Sequence, residues 1–256
     1  MQNFYYCDNV NHEFRFRNHN YKYVRVGGKM NNIMLKQYST LVEFLGKSLG
    51  SDYEVALHDI GYDTSSIVAI SNGYISGRTI GAPITNLGLN IISNKSYKNS
   101  KYKLNYNGIS KDQNILRSST MFIKDENETL VGMLCINFDD RKYVDISNQI
   151  LKLCRADELI EQNSSYESLS PLLNDEMETF PSSIAEVTET VLKKVLVDNN
   201  IPIDRLTQNE RVNIINILNR QGIFMLKGAV CEVAKQLYCS EPSIYRYLSK
   251  LNEDNA

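Results

Sequence analysis

Apolar residues recur at Ile33, Met34, Tyr38, Leu41, Phe44, Leu45 and Leu49, and Gly50 follows as a stop, so the pattern predicts a helix over 33–49. Two short runs come next, YEVALHDI (Tyr53 to Ile60) and SSIVAIS (Ser65 to Ser71), which read as strands around a turn holding Gly61. Asn72-Gly73 predicts a tight hairpin into YISGR. Pro83 opens a short helix through ITNLGLNII, with Ile84, Leu87 and Ile91 on one face. The stretch from Ser93 to Gln113 is polar and rich in Lys, Asn, Ser and Tyr, and it suggests no element. LRSSTMFIK and TLVGMLCINF then read as two strands around the turn DENE. Val144 to Ile160 predicts a helix leaving the sheet, with Ile146, Ile150, Leu153 and Cys154 on one side. Helix, strands, helix and strands in this order make an α+β domain on an antiparallel sheet.

The pattern changes after that helix. Glu161 to Pro181 is rich in Ser, Glu and Asn and reads as a linker. Ser183 and Glu186 form a capping-box pattern ahead of a stripe at Ile184, Val187, Val191 and Val195, which either packs on its own domain or meets a second copy. Thr207 and Glu210 form another box, followed by Val212, Ile215 and Leu218, with Gly222 as the stop. A further helix runs from about Ala229 to Leu237. A last one begins where Ser240 can cap and Pro242 sits in the first turn.

This last pair reads as a helix-turn-helix, with the small Ala234 where the two helices approach. In the final helix Ile244, Leu248 and Leu251 share a face bordered by Tyr247. Ser240, Glu241, Pro242, Ser243, Tyr245, Arg246 and Lys250 are left to meet DNA. Arg246 suits guanine, and Ser240 or Ser243 suits phosphate. Tyr238 is a departure, because the turn position it holds is commonly glycine. A plain helical hairpin with a solvated face, docking a protein rather than DNA, is the alternative.

Charge adds little. From Arg205 to Lys250 there are seven Lys/Arg and three Asp/Glu, so 7 − 3 = +4 on a chain of net charge -2. So mild a bias makes one copy a weak DNA binder and calls for a homodimer. The first 29 residues show no sustained period. Gly27-Gly28-Lys29 before Met30 is what a translated ribosome-binding site looks like, so residues 1–29 are either a non-native or disordered leader, with Met30 the start, or a flexible arm. No apolar run approaches the roughly 20 residues of a membrane helix, and the chain reads as cytoplasmic. Cys7, Cys135, Cys154, Cys231 and Cys239 form no CxxC pair, so neither disulfides nor a zinc site is expected. The familiar phosphate-binding, nucleophile-elbow and metalloprotease motifs are missing, and neither a cofactor nor a metal is expected. The enzyme reading rests on His58 and Asp59 as an acid-base pair, with no nucleophile beside them.

Four stretches carry a resemblance: EVALHD, IVAISNGYISGRTIGAPITNLGL, LRSSTMFIKDENETLVGMLCINFD and LNRQGIFMLKGAVCEVAKQLYCSEPSIYRYLSKL. They resemble the YheO-like transcriptional regulators, over roughly Leu35 to Tyr143 and Leu206 to Leu251. The resemblance implies a PAS-like sensor over 30–143, a five-stranded antiparallel sheet with helices on one side. It also implies a helical linker over 144–203 and an all-α helix-turn-helix domain over 204–256 that binds double-stranded operator DNA. Such sensors often hold a small-molecule effector. His58 shares a strand face with Glu54 and Ala56, Arg78 lies in the glycine-bordered loop SGRTIG, and Ser118, Ser119 and Asn137 are polar on otherwise apolar strands. Burying such groups is costly unless they are paired. They form either a ligand site, which Arg78 would suit to an anionic or amino-acid-like effector, or internal hydrogen bonds.

Overall fold

A computed structural model describes residues 14–16, 19–21, 28–61, 66–153, 177–199 and 206–253. The chain divides after Val187 into two compact units, Gly27–Val187 and a second one that takes Thr188–Ala256 with Met1–Val26. Within the first 29 residues β1 (Phe14–Phe16) and β2 (His19–Tyr21) pair antiparallel. The first unit begins before Met30, because the Gly28 amide already donates to the Leu130 carbonyl at 2.9 Å.

The first unit is built on β3 (Tyr53–Asp59), β4 (Ser66–Ser71), β5 (Tyr102–Ile109), β6 (Ile115–Lys124), β7 (Leu130–Phe138) and β8 (Glu178–Thr179), in the order β4-β3-β7-β6-β5-β8. All neighbours are antiparallel except β8, which joins β5 in parallel. The expected five-stranded sheet therefore carries a sixth, two-residue strand drawn from the stretch read as linker.

Helix α1 (Asn32–Leu49) starts at Asn31, whose side chain accepts from the Met34 amide at 2.8 Å, and stops at Gly50 with φ 91°. Met34, Tyr38, Leu41 and Leu45 pack on the sheet as expected, whereas Phe44 is 60% and Leu49 40% exposed, and Val42 and Gly46 are buried beside that stripe. The cause is close approach at Gly46, where a Cβ would lie 1.9 Å from Ser71 Oγ and 2.4 Å from Ser71 Cβ. That contact turns Met34, Tyr38 and Leu45 onto Val55, Leu57 and Leu134. Helix α2 (Asn86–Ser93), capped by Thr85 rather than opened by Pro83, lies over the opposite face beside His58, Met133 and Cys135. Helices thus cover both sides of the sheet.

Asn72-Gly73 does not make a hairpin. Asn72 takes φ 57°, its amide donates to the Gly46, Gly50 and Tyr53 carbonyls, and the turn that follows bends Ser76 and Arg78 inward. After β7 comes α3 (Arg141–Leu153), none of whose residues is buried. The part of the predicted helix beyond Leu153 lies outside the described residues. Helix α4 (Ile184–Asn199) is capped by Ser183, whose hydroxyl accepts from the Glu186 amide, while Glu186 reaches back to Ser182.

In the second unit α5 (Gln208–Arg220), α6 (Ala229–Gln236) and α7 (Glu241–Glu253) pack around Ile215, Leu218, Val233, Leu237 and Ile244. The capping box at Thr207 and Glu210 forms as expected, with both reciprocal bonds present.

Candidate functional site

Side chains alternate across a strand, so the register decides which polar groups meet. Glu54 is opposite Asn137, Asn137 opposite Ser118, and Ser118 opposite Tyr106, which makes one polar row across four strands. The next row is Ala56, Cys135 and Thr120, and the third is His58, Met133 and Phe122. All three rows face α2. Glu54 is saturated: Oε1 accepts from Asn137 at 2.8 Å, and Oε2 accepts from the Ser76 hydroxyl at 2.6 Å and amide at 3.2 Å. Arg78 donates to the Pro83 carbonyl. Tyr106 and Thr120 hydroxyls share a bond of 2.7 Å.

One acid at this face comes from far along the chain. Glu178 of β8 accepts from the Thr85 hydroxyl at 2.7 Å. Asn86 clamps both neighbours, donating to the Met177 carbonyl at 2.9 Å and accepting from the Thr179 amide at 2.8 Å. Phe180 is seated over Gly108, where a Cβ would come within 2.5 Å of its ring, and the Arg78 guanidinium lies 6.0 Å from that ring's centre.

Between α2, β8 and the sheet lies a cavity of about 210 Å³, its mouth included, of which only a water-sized part is clear of the walls. His58, Thr85, Tyr106, Thr120, Cys135 and Glu178 line it among apolar groups. Of the lining residues, His58 Nδ1 and Glu178 Oε2 have no hydrogen-bond partner of good geometry, with the Tyr106 hydroxyl also acting on the Glu178 carboxyl, and beyond the lining Arg78 Nε, Ser118 Oγ and Asn137 Oδ1 are buried without one. Each such atom costs about 1–3 kcal/mol when dry, so the fold retains polar groups that its own contacts leave unmatched.

Burial dominates the charges. It raises Glu54 and Glu178 above the ordinary carboxylate range, against hydrogen bonds from Ser76 and Thr85 respectively and the nearby charge of Arg78. It lowers Arg78, which Glu178 and Glu54 offset. Burial, and then Arg78, hold His58 well below its usual value, so the imidazole is neutral at pH 7. The Cys135 thiol is pushed up to about 12 by burial, which keeps it from being a reactive thiolate.

The second constellation is on α7. Ile244, Tyr247, Leu248 and Leu251 are buried. Pro242, Arg246 and Lys250 are exposed at i, i+4 and i+8, with Ser240 exposed just before them and Glu241, Ser243 and Tyr245 half-buried at the margins. Arg246 lies over the Tyr247 ring at 5.5 Å, and Ser240 and Ser243 share a hydroxyl bond of 2.9 Å. The turn before α7 has a defined form. Cys239 N donates to Ala234 O at 2.9 Å and Tyr238 N to Lys235 O at 3.2 Å, the pair of bonds of a Schellman motif, and Tyr238 takes φ 50° where glycine is usual.

Comparison with known families agrees with both halves. A YheO-like PAS domain model matches residues 29–155, and an HTH domain model matches residues 187–249. The chain is thus similar to the YheO-like proteins over both halves, with a YheO-like PAS domain followed by an HTH domain. The uncharacterized protein YheO of Escherichia coli K12 is 28% identical over 218 residues, 84% of this chain and 83% of the relative. A protein of the same name from Shigella flexneri matches equally well. An uncharacterized protein of Haemophilus influenzae is 25% identical over 224 residues, 86% of this chain and 92% of its own. The matched families are PAS and HTH domains, which are not enzyme families.

Four of the five expected sensor residues, His58, Arg78, Ser118 and Asn137, meet at the α2 face. Ser119 does not: next to Ser118 in the same strand it points to the other side, where its hydroxyl accepts from the Asn105 amide at 3.1 Å. Alternation also parts His58 from Asp59, which turns away to accept from the Gly61 amide at 3.0 Å, so the two do not form an acid-base pair. Glu178, Thr85 and Tyr106 escape sequence reasoning. The apolar Phe180-Pro181 pair at the end of a mostly polar stretch is the local sign of a return to the sheet. Among the described residues no His/Cys/Asp/Glu group could hold a metal ion, and no helix is long and apolar enough to cross a membrane.

Proposed function

We propose that the chain is a sequence-selective DNA-binding regulator that works as a homodimer and whose PAS unit answers to a small polar effector. The observation that carries this reading is the face of α7. Its apolar side is fully used against α5 and α6, while Pro242, Arg246 and Lys250 stand outward on the second helix of a helix-turn-helix. Arg246 is the base reader, with Tyr245 and Glu241 beside it, and Ser240, Ser243 and Lys250 hold phosphates.

A second copy is favoured by α3. Tyr143, Ile146, Ile150 and Leu153 follow the 3-4-3 spacing of a coiled-coil seam, and all four are more than half exposed. Ser147 and Gln149 flank the middle of that seam without charge, and Lys142 at its start is paired with Asp52, so two identical helices meet little repulsion there. Effector binding shifts the population only as far as it prefers one state of the sensor.

Enrichment of a random duplex pool on the full chain tests the reading. A two-fold symmetric motif is expected. Arg246→Ala costs about 1–3 kcal/mol at one base pair of each half-site, and Lys250→Ala weakens all sequences alike while lowering the salt slope by about one. A pool that yields no preferred sequence, or a motif that Arg246→Ala leaves unchanged in strength and selectivity, overturns it in favour of a protein-docking hairpin.

A further inference from the structure

The unmatched atoms around the sensor cavity are of two kinds. Arg78 Nε is a cationic donor and Glu178 Oε2 an anionic acceptor, and each is the other's strongest coulombic partner among the nearby charges. His58 Nδ1 and Asn137 Oδ1 add acceptors, and Ser118 Oγ serves either way. All five side chains are at least nine-tenths buried, with relative exposures of 3% or less.

A simple anion would answer Arg78 and leave Glu178 facing like charge. A simple amine would do the reverse. A molecule bearing both charges a few bonds apart matches both ends. Resting on the reading of this unit as a sensor, we propose that the cavity, opened toward the buried Arg78 beyond its lining, is a binding site for a small zwitterion, its acid group on Arg78 and its ammonium group on Glu178. At about 30 Å³ per water-sized volume, 210 Å³ with its mouth sets an upper bound of about seven such volumes. The ligand makes its room by moving unbranched Met133 and the wall that α2 supplies.

The same contact has a mechanical consequence. Arg78 belongs to the loop after β4, and Glu178 to a strand of only two residues. A ligand bridging them fastens β8 to the sensor sheet, and Ile184, the first residue of α4, follows five residues after Thr179.

The test uses the full chain and alanine, with propionate, which lacks the ammonium group, and ethylammonium, which lacks the carboxylate; glycine and serine vary the side chain and β-alanine varies the spacing of the charges. Thermal shift and calorimetry should report binding by at least one zwitterion and none by propionate or ethylammonium. Hydrogen exchange across residues 177–180 should slow with the ligand. Glu178→Gln, a neutral isostere, should weaken binding about tenfold or more, the loss expected for one charge-assisted hydrogen bond, with helical content retained. No binding by any zwitterion, equal binding by propionate or ethylammonium, or unchanged affinity in Glu178→Gln overturns the site. A zwitterion that binds through Glu178 without altering DNA affinity would leave the site standing and remove the sensing role instead.

Discussion

Tyr238 places a bulky side chain at the left-handed position of the turn between the two helices of the reading head. A non-glycine residue there costs about 1–2 kcal/mol, and at φ 50° Tyr238 incurs it. Its ring returns little, since the residue is 75% exposed. Tyr238→Gly removes the strain but gives the unfolded chain extra freedom worth roughly 0.5–1 kcal/mol. The difference leaves a net gain of about 0.5–1 kcal/mol. Tyr238→Ala keeps the strain and deletes the ring, so it separates the two effects and should be close to neutral. Urea unfolding of the full chain, followed by far-ultraviolet circular dichroism and by hydrogen exchange in α6 and α7, reads all three. The order expected is Gly most stable, then Ala and Tyr together. A Tyr238→Gly protein less stable than Tyr238→Ala would refute the assignment of strain to this turn.

Gly46→Ala would ordinarily stabilise a helix by about 1 kcal/mol, but here the new Cβ meets Ser71 Cβ, which the strand holds in place, so a net loss of about 1–3 kcal/mol is expected. Ser71→Gly in the same chain should recover most of it in a urea-melt double-mutant cycle, and additive effects would disprove the contact. Ile150→Asp on the open seam of α3 should shift the chain toward monomer in sedimentation velocity while leaving unfolding of the PAS unit unchanged, and an unaltered dimer would remove α3 from the interface. His58 resists protonation when folded, whereas the unfolded imidazole titrates near 6.5. The unfolded state therefore binds the extra proton, and stability falls below that pH by at most about 1.4 kcal/mol per unit. Glu54 and Glu178, raised by burial, act in the opposite sense, so the quantity to compare between pH 7 and 5 is wild type minus His58→Gln. The variant should lose less on acidification, and parallel curves would contradict a buried neutral His58.

How far the sequence could be read depended on whether neighbours along the chain or distant residues set each feature. The α1, β3, β6 and β7 segments have clean periods, and the caps at Ser183 and Thr207 are local chemistry, so all of these were legible. Strand β5 was not, because its outer part alternates poorly. Asn105 takes φ 53° within a register shift between Lys103 and Tyr106, and that irregularity erases the period-2 signal. Strand β8 exists because Asn86 and the seat of Phe180 hold it, contacts that span about 90 residues and leave no local trace. At the cavity, His58, Arg78, Ser118 and Asn137 were readable as polar groups on apolar strands. Ser119 cannot share that site, because adjacent residues of a strand face opposite sides of the sheet. Glu178 looks in sequence like any solvated acid of a polar stretch. Only the register could place the binding groups in rows.

The way this sheet ends at β5 bears on how the protein avoids sticking to itself. A free strand edge is a template for another chain, and β5 also exposes Tyr102 and Leu104. Strand β8 covers Gly108 and Ile109, the inner end of that edge, and at the outer end the left-handed kink at Asn105 breaks the flat line of donors and acceptors. A chain cut before Met177 would keep the five antiparallel strands yet bare the straight half of the edge. Such a truncated chain should precipitate where the longer one stays dispersed.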